Sequence, residues 1–100
     1  MKFEFDFSEE NKRKYSSYLR ALDKKALEVG LKKISFGIYE GKISESKFDD
    51  FIFFTLVDNV VYENAIYCYI YEDINSLEKE DALKMYKETF KKNKKKKVFI

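Results

Sequence analysis

One hundred residues with 45% apolar and 38% charged side chains make a single domain around one core and exclude intrinsic disorder. One cysteine excludes an internal disulfide, and the lack of histidine excludes Ser-His-Asp and Cys-His catalysis, HExxH zinc sites and imidazole ligands. No apolar run approaches the ~20 residues of a membrane span, and the charged, alternating start MKFEFDFSEE is not expected to act as a signal peptide; a soluble cytoplasmic protein with no membrane partner is the expectation.

The first element is FEFDF, residues 3–7, whose alternation predicts a half-buried strand with Phe3, Phe5 and Phe7 inward. Ser8 opens a helix as N-cap, and Glu9 and Glu10 suit its positive end. Tyr15, Tyr18, Leu19, Leu22, Ala26 and Val29 then form one stripe at the helical period, and Gly30 ends it in the left-handed conformation. KISFGIYEG, 33–41, reads as one strand with Ile34, Phe36 and Ile38 on one face and Tyr39 on the other. DFIFFTLVD, 50–58, is apolar on both faces and predicts a strand, either central and covered on two sides or packed tightly on one, with a hairpin turn at Asp58-Asn59. The next strand is predicted as a long one, 60–72, with Val60, Tyr62, Asn64, Ile66, Cys68 and Ile70 on one face and Val61, Glu63, Ala65, Tyr67, Tyr69 and Tyr71 on the other. Asn75 and Glu78 have capping-box spacing, which predicts a second helix from about Ser76 to Asn93.

The sum is a single two-layer α+β domain over residues 1–93, of order β-α-β-β-β-α, with a mostly antiparallel four-stranded sheet and two helices. Residues 94–100 form a basic C-terminal tail whose apolar end, VFI, suits a short last strand or a docked segment. With both helices on one face, the tyrosine row of residues 67, 69 and 71 points away from them.

Charge is unevenly spread. Residues 1–34 hold nine basic and six acidic side chains, residues 35–90 five and twelve, and residues 91–100 six lysines. The near-neutral total therefore conceals an acidic middle. Tyr67, Tyr69 and Tyr71 either cover the back of the sheet, alone or under the tail, or present an aromatic platform. As a platform they suit a protein partner better than stacked bases, because neighbouring acids repel phosphate. Tyr67, Tyr69 and Tyr71 are the candidate anchors, with Glu63, Glu72 and Asp73 as an acidic rim steering a basic partner.

The alternative is a nucleic-acid-binding module. It would use the lysine block Lys91, Lys92, Lys94, Lys95, Lys96 and Lys97 and a ridge on the first helix at Arg13, Arg20 and Lys24. Enzymatic chemistry has little to stand on. Glycines at 30, 37 and 41 make no phosphate-cradling loop, and Cys68 lies among apolar neighbours as a buried small hydrophobe. Glu40-Gly-Lys42 and Glu45-Ser-Lys47 have the acid-x-lysine spacing of Mg-dependent nucleases, but they fall at a strand end and in a loop, and no acid lies on a preceding strand at a suitable distance to complete a metal site. The expectation is a non-enzymatic protein-binding module without cofactor or metal, of the inhibitor or immunity type. A basic surface of a nucleic-acid-processing enzyme is the expected kind of partner. The residue bias, rich in Lys, Ile, Tyr, Phe and Glu and lacking Gln, Pro and Trp, suits the A/T-rich genes of some bacteria, phages or other mobile elements.

Overall fold

The alternation at the start of the chain builds the central strand. The computed structural model describes residues 1–75 and 77–91. In it β1 (Lys2–Asp6) buries Phe3 and Phe5 and leaves Lys2, Glu4 and Asp6 half-exposed. Ser8 caps α1 (Glu9–Lys14), its Oγ accepting the Asn11 N–H at 3.2 Å. The predicted single helix is interrupted at Tyr15 (φ −106°, ψ 25°) and resumes as α2 (Ser16–Val29), where Leu22, Ala26 and Val29 are buried. Gly30 ends α2 as expected, at φ 96°, with the Leu31 N–H donating to the Ala26 carbonyl at 2.8 Å and its own N–H donating to that of Leu27 at 3.1 Å. Those two bonds satisfy carbonyls that the helix end leaves open.

Residues 33–41 are not one strand. They double back at Gly37 (φ 72°) as a hairpin of β2 (Lys32–Ser35) and β3 (Ile38–Glu40). The reversal changes which side chains face inward: Tyr39 is only 1% exposed, while Ile34 is exposed. A Cβ at Gly37 would overlap the Phe5 carbonyl oxygen, so glycine is required by both the turn and the close approach of β1.

The main correction concerns residues 45–64. The strand predicted at 50–58 lies in α3 (Glu45–Asp58), and the first half of the predicted long strand is α4 (Val60–Asn64). Ser44 Oγ accepts the Lys47 N–H at 3.3 Å to start α3, and Phe48, Phe51 and Thr55 supply its buried stripe. The remaining apolar residues obscure that stripe in the sequence: Phe54 stacks on Tyr18 of α2, while Phe53 and Val57 are 68% and 64% exposed. A short run that is apolar on all sides has no period to separate buried strand from helix. Asn59 does take positive φ (58°), but it links two helices rather than two strands.

Consequently β4 is short (Tyr67–Tyr71), and an unanticipated β5 (Glu80–Asp81) pairs with it. The second predicted helix begins late, as α5 (Ala82–Tyr86), followed by a π-helical turn at Lys87–Lys91. Asp81, not Asn75, is its N-cap, with Oδ1 accepting the Lys84 N–H at 3.1 Å; the Asn75 N–H donates instead to Asp73 Oδ1 in a turn. The suggested C-terminal strand and the tail at 94–100 lie outside the described residues.

The α+β class holds, with five strands and five helices among the described residues where four and two were predicted. Strand order is β2-β3-β1-β4-β5, every neighbouring pair antiparallel. Phe3 of β1 pairs with Tyr39 and Ile70, and Phe5 with Cys68, so these define the inner face. Helical Leu22, Ala26, Phe51 and Val61 complete one core with them. The rings of Phe3 and Phe51 meet edge-on at 5.4 Å, and those of Phe5 and Phe7 at 5.1 Å. Each buried Phe contributes roughly 1.5–3 kcal/mol, so an aromatic core replaces a disulfide staple. Among the described residues no helix is long and apolar enough to cross a membrane.

Candidate protein-binding face

Every fully buried strand side chain of β1, β3 and β4 (Phe3, Phe5, Tyr39 and Cys68) lies on the helix-bearing face of the sheet. The alternate residues form an open face. There Tyr67, Tyr69 and Tyr71 stand in a half-buried row along β4. Antiparallel pairing sets Asp6 opposite Tyr67, Glu4 opposite Tyr69 and Lys2 opposite Tyr71. On the other flank Asp81 of β5 is opposite Tyr69. Beyond β1, Ile38 and Glu40 of β3 continue the face. The phenols are therefore bordered by carboxylates across both neighbouring strands.

Tyr67 and Tyr69 stack, ring centroids 5.5 Å apart and planes 23° from parallel. The Tyr71 hydroxyl donates to Glu4 Oε1 at 3.1 Å, and Lys2 Nζ stands 4.8 Å from the Tyr71 ring centre and 3.9 Å from the same carboxylate oxygen. Asp6 Oδ1 accepts the Phe7 N–H at 2.9 Å and lies 3.8 Å from Lys12 Nζ. Partial desolvation, then the charges of Asp6 and Glu4, push the Tyr67 phenol above its ordinary value. Desolvation and the bond to Glu4 do the same for Tyr71. Both hydroxyls thus remain neutral donors at physiological pH.

Glu72 and Asp73 are exposed just beyond β4, where they join Glu78, Glu80, Ile70 and Lys79 around a cavity of about 390 Å³. Glu63 is not with them. It belongs to α4, and its Oε1 accepts the Tyr86 hydroxyl at 3.3 Å. Helix formation at 60–64 takes it off the strand face to which the sequence assigned it. Glu4, Asp6 and Asp81 were not picked out from the sequence, although the first two are the polar half of FEFDF. The signal for them is that alternation, which names a face but not the strand beside it.

The basic residues of the alternative reading are less well gathered. Arg13 is on α1 and Arg20 and Lys24 on α2, all exposed, and the break at Tyr15 divides the expected ridge. Arg20 Nη2 donates to Ser17 Oγ at 3.3 Å. Lys91 closes the π-helical turn, and Lys92, Lys94, Lys95, Lys96 and Lys97 lie outside the described residues.

Cys68 is fully buried, and burial pushes its thiol far above the usual range, so it is a protonated core side chain. Glu40 ends β3 and Glu45 begins α3, so the two acid-x-lysine triplets belong to different elements. Among the described residues no group of three acidic or cysteine side chains converges as a metal site. Compared with known proteins, the chain matches no family model, no curated protein and no solved structure, so its function is read from this geometry.

Proposed function

We propose that the chain is a non-enzymatic protein-binding module, a stoichiometric inhibitor or immunity-type protein. It docks the open face of its sheet on a basic surface of a partner such as a nucleic-acid-processing enzyme. The observation that carries this is the β1–β4 register, which brings Glu4 and Asp6 beside Tyr69 and Tyr67 on the side away from the core. Tyrosine supplies contact area at low entropic cost, and flanking carboxylates select a cationic surface and speed encounter. Glu72 and Asp73 extend the negative potential past the end of β4, where they share a cavity with Glu78 and with Glu80, the cross-strand neighbour of Ile70.

The test is capture from the native host's lysate by the wild-type chain and by Tyr69→Ala, with the thermal midpoint of both. The module should retain a basic protein at low salt, and Tyr69→Ala should lose it with a nearly unchanged midpoint. Retention that survives the substitution, or capture of nucleic acid alone, contradicts the proposal.

A further inference from the structure

The tyrosine row already holds a cation, and it is the chain's own. Lys79 Nζ stands 4.0 Å from the centre of the Tyr69 ring, the ring that stacks on Tyr67. An ammonium at that distance over an aromatic face is held by the ring quadrupole, weakly where water has access. Lys79 is exposed and comes from the segment between β4 and β5, outside the regular pairing of the sheet. Nothing in the backbone registers of β4 depends on it.

Beside the same rings runs a cleft of about 390 Å³ between β4 and α5, lined by Ile66, Leu83, Tyr67, Tyr69 and Asp81 and, along α5 and the turn after it, by Lys84, Lys87 and Glu88. Ile66 is 63% exposed, an apolar surface with room for a methylene stem. The stacked phenols offer a flat plane, and Asp81 offers a carboxylate across the strand pair from Tyr69. An apolar wall, a π-face and a carboxylate together fit arginine better than lysine. A guanidinium stacks through its plane and forks to a carboxylate, while its stem lies along apolar surface.

Resting on the reading of this face as a docking surface, we propose that the position over Tyr69 is the seat for an arginine side chain of the basic partner. Lys79 is the intramolecular competitor that fills the seat until the partner displaces it. The face is then self-capped, and its affinity is set by the difference between two cations on one ring.

The experiment titrates hexa-arginine peptide into the full chain at low salt by calorimetry, with Lys79→Met compared against Lys32→Met. Lys32 is exposed on the same face, opposite Glu40, so both variants remove one positive charge and only the first takes a cation off the ring. Lys79→Met should bind about 2- to 5-fold more tightly than Lys32→Met, the factor that one exposed cation–ring contact supplies. In the wild type, the Lys79 Hε protons should resonate upfield in the free chain and return to solvent values as peptide is added. Equal gains in the two variants, or a Lys79 signal that peptide does not move, overturn the competitor. Hexa-lysine binding as tightly as hexa-arginine overturns the assignment to arginine. If neither peptide binds any of the three chains, the docking face itself falls, and the seat with it.

Discussion

Tyr39 and Tyr69 carry the same side chain into opposite environments. Tyr39 is buried against Phe51 and Phe5, and its hydroxyl donates to Asp23 at 2.6 Å, tying β3 to α2. Tyr39→Ala should therefore cost about 3–5 kcal/mol by calorimetric or denaturant unfolding. Tyr39→Phe should cost only about 1 kcal/mol, because Asp23 keeps its ion pair with Lys33 at 2.9 Å. Tyr69→Ala should lower stability by less than about 1 kcal/mol while weakening partner binding by about 2 kcal/mol or more. Phenol titration reports the same division. Burial pushes Tyr18, Tyr39 and Tyr62 well above the ordinary value, with the Asp23 bond adding to the rise for Tyr39. A phenol that holds its proton more tightly when folded favours the native state only while the unfolded chain also stays protonated. Stability is thus intact below pH ~10 and falls as pH rises beyond it. Absorbance at 295 nm should show these phenols ionising together with alkaline unfolding. Independent titration of every tyrosine near pH ~10 in a folded chain would contradict their burial.

At the scale of elements, the stretch 50–58 shows where sequence reasoning succeeds and stops. Phe51 and Phe53 fall two residues apart, which on a strand places them on one face. In α3 they diverge: Phe51 is fully buried and Phe53 is 68% exposed. Phe53→Lys should change stability by no more than about 0.5 kcal/mol, whereas Phe51→Lys should unfold the domain, both read by circular dichroism and thermal melts. Similar responses at the two positions would favour the strand. The helix signals were present but faint: Ser44 as N-cap, Phe48, Phe51 and Thr55 at helical spacing, and Asn59 taking the left-handed stop. Dense apolar residues around the helix hid the period. Where one face was clearly polar, as in β1 and α2, the alternation or stripe was legible and the buried set followed. The Gly37 reversal escaped notice because a two-strand hairpin and one longer strand share much of the same composition. Gly37→Ala should cost about 1–3 kcal/mol, since the added carbon meets the Phe5 carbonyl.

Across the whole molecule, helical Leu22, Ala26, Phe51 and Val61 form one core with Phe3, Phe5, Tyr39 and Cys68 of the five-stranded sheet, and the alternate side chains of its strands leave the other face to Tyr67, Tyr69, Tyr71 and their carboxylate neighbours. The row itself was legible, because alternation along 67–71 alone separates phenols from Cys68. Its neighbours were not. Glu4 lies 65 positions from Tyr69 in the chain and becomes its cross-strand partner only through β1–β4 pairing, a long-range choice that no local pattern encodes. Glu63 left the face for the converse reason, since a local helix overrode a plausible strand. The most direct measurement is aromatic NMR of the three phenol rings with a soluble paramagnetic agent, before and after adding the captured basic partner. The rings of Tyr67, Tyr69 and Tyr71 should broaden in the free chain and become protected in the complex, while Tyr39 and Tyr62 stay protected throughout. Rings already shielded in the free chain, or equally broadened with the partner bound, would contradict a docking surface at this face.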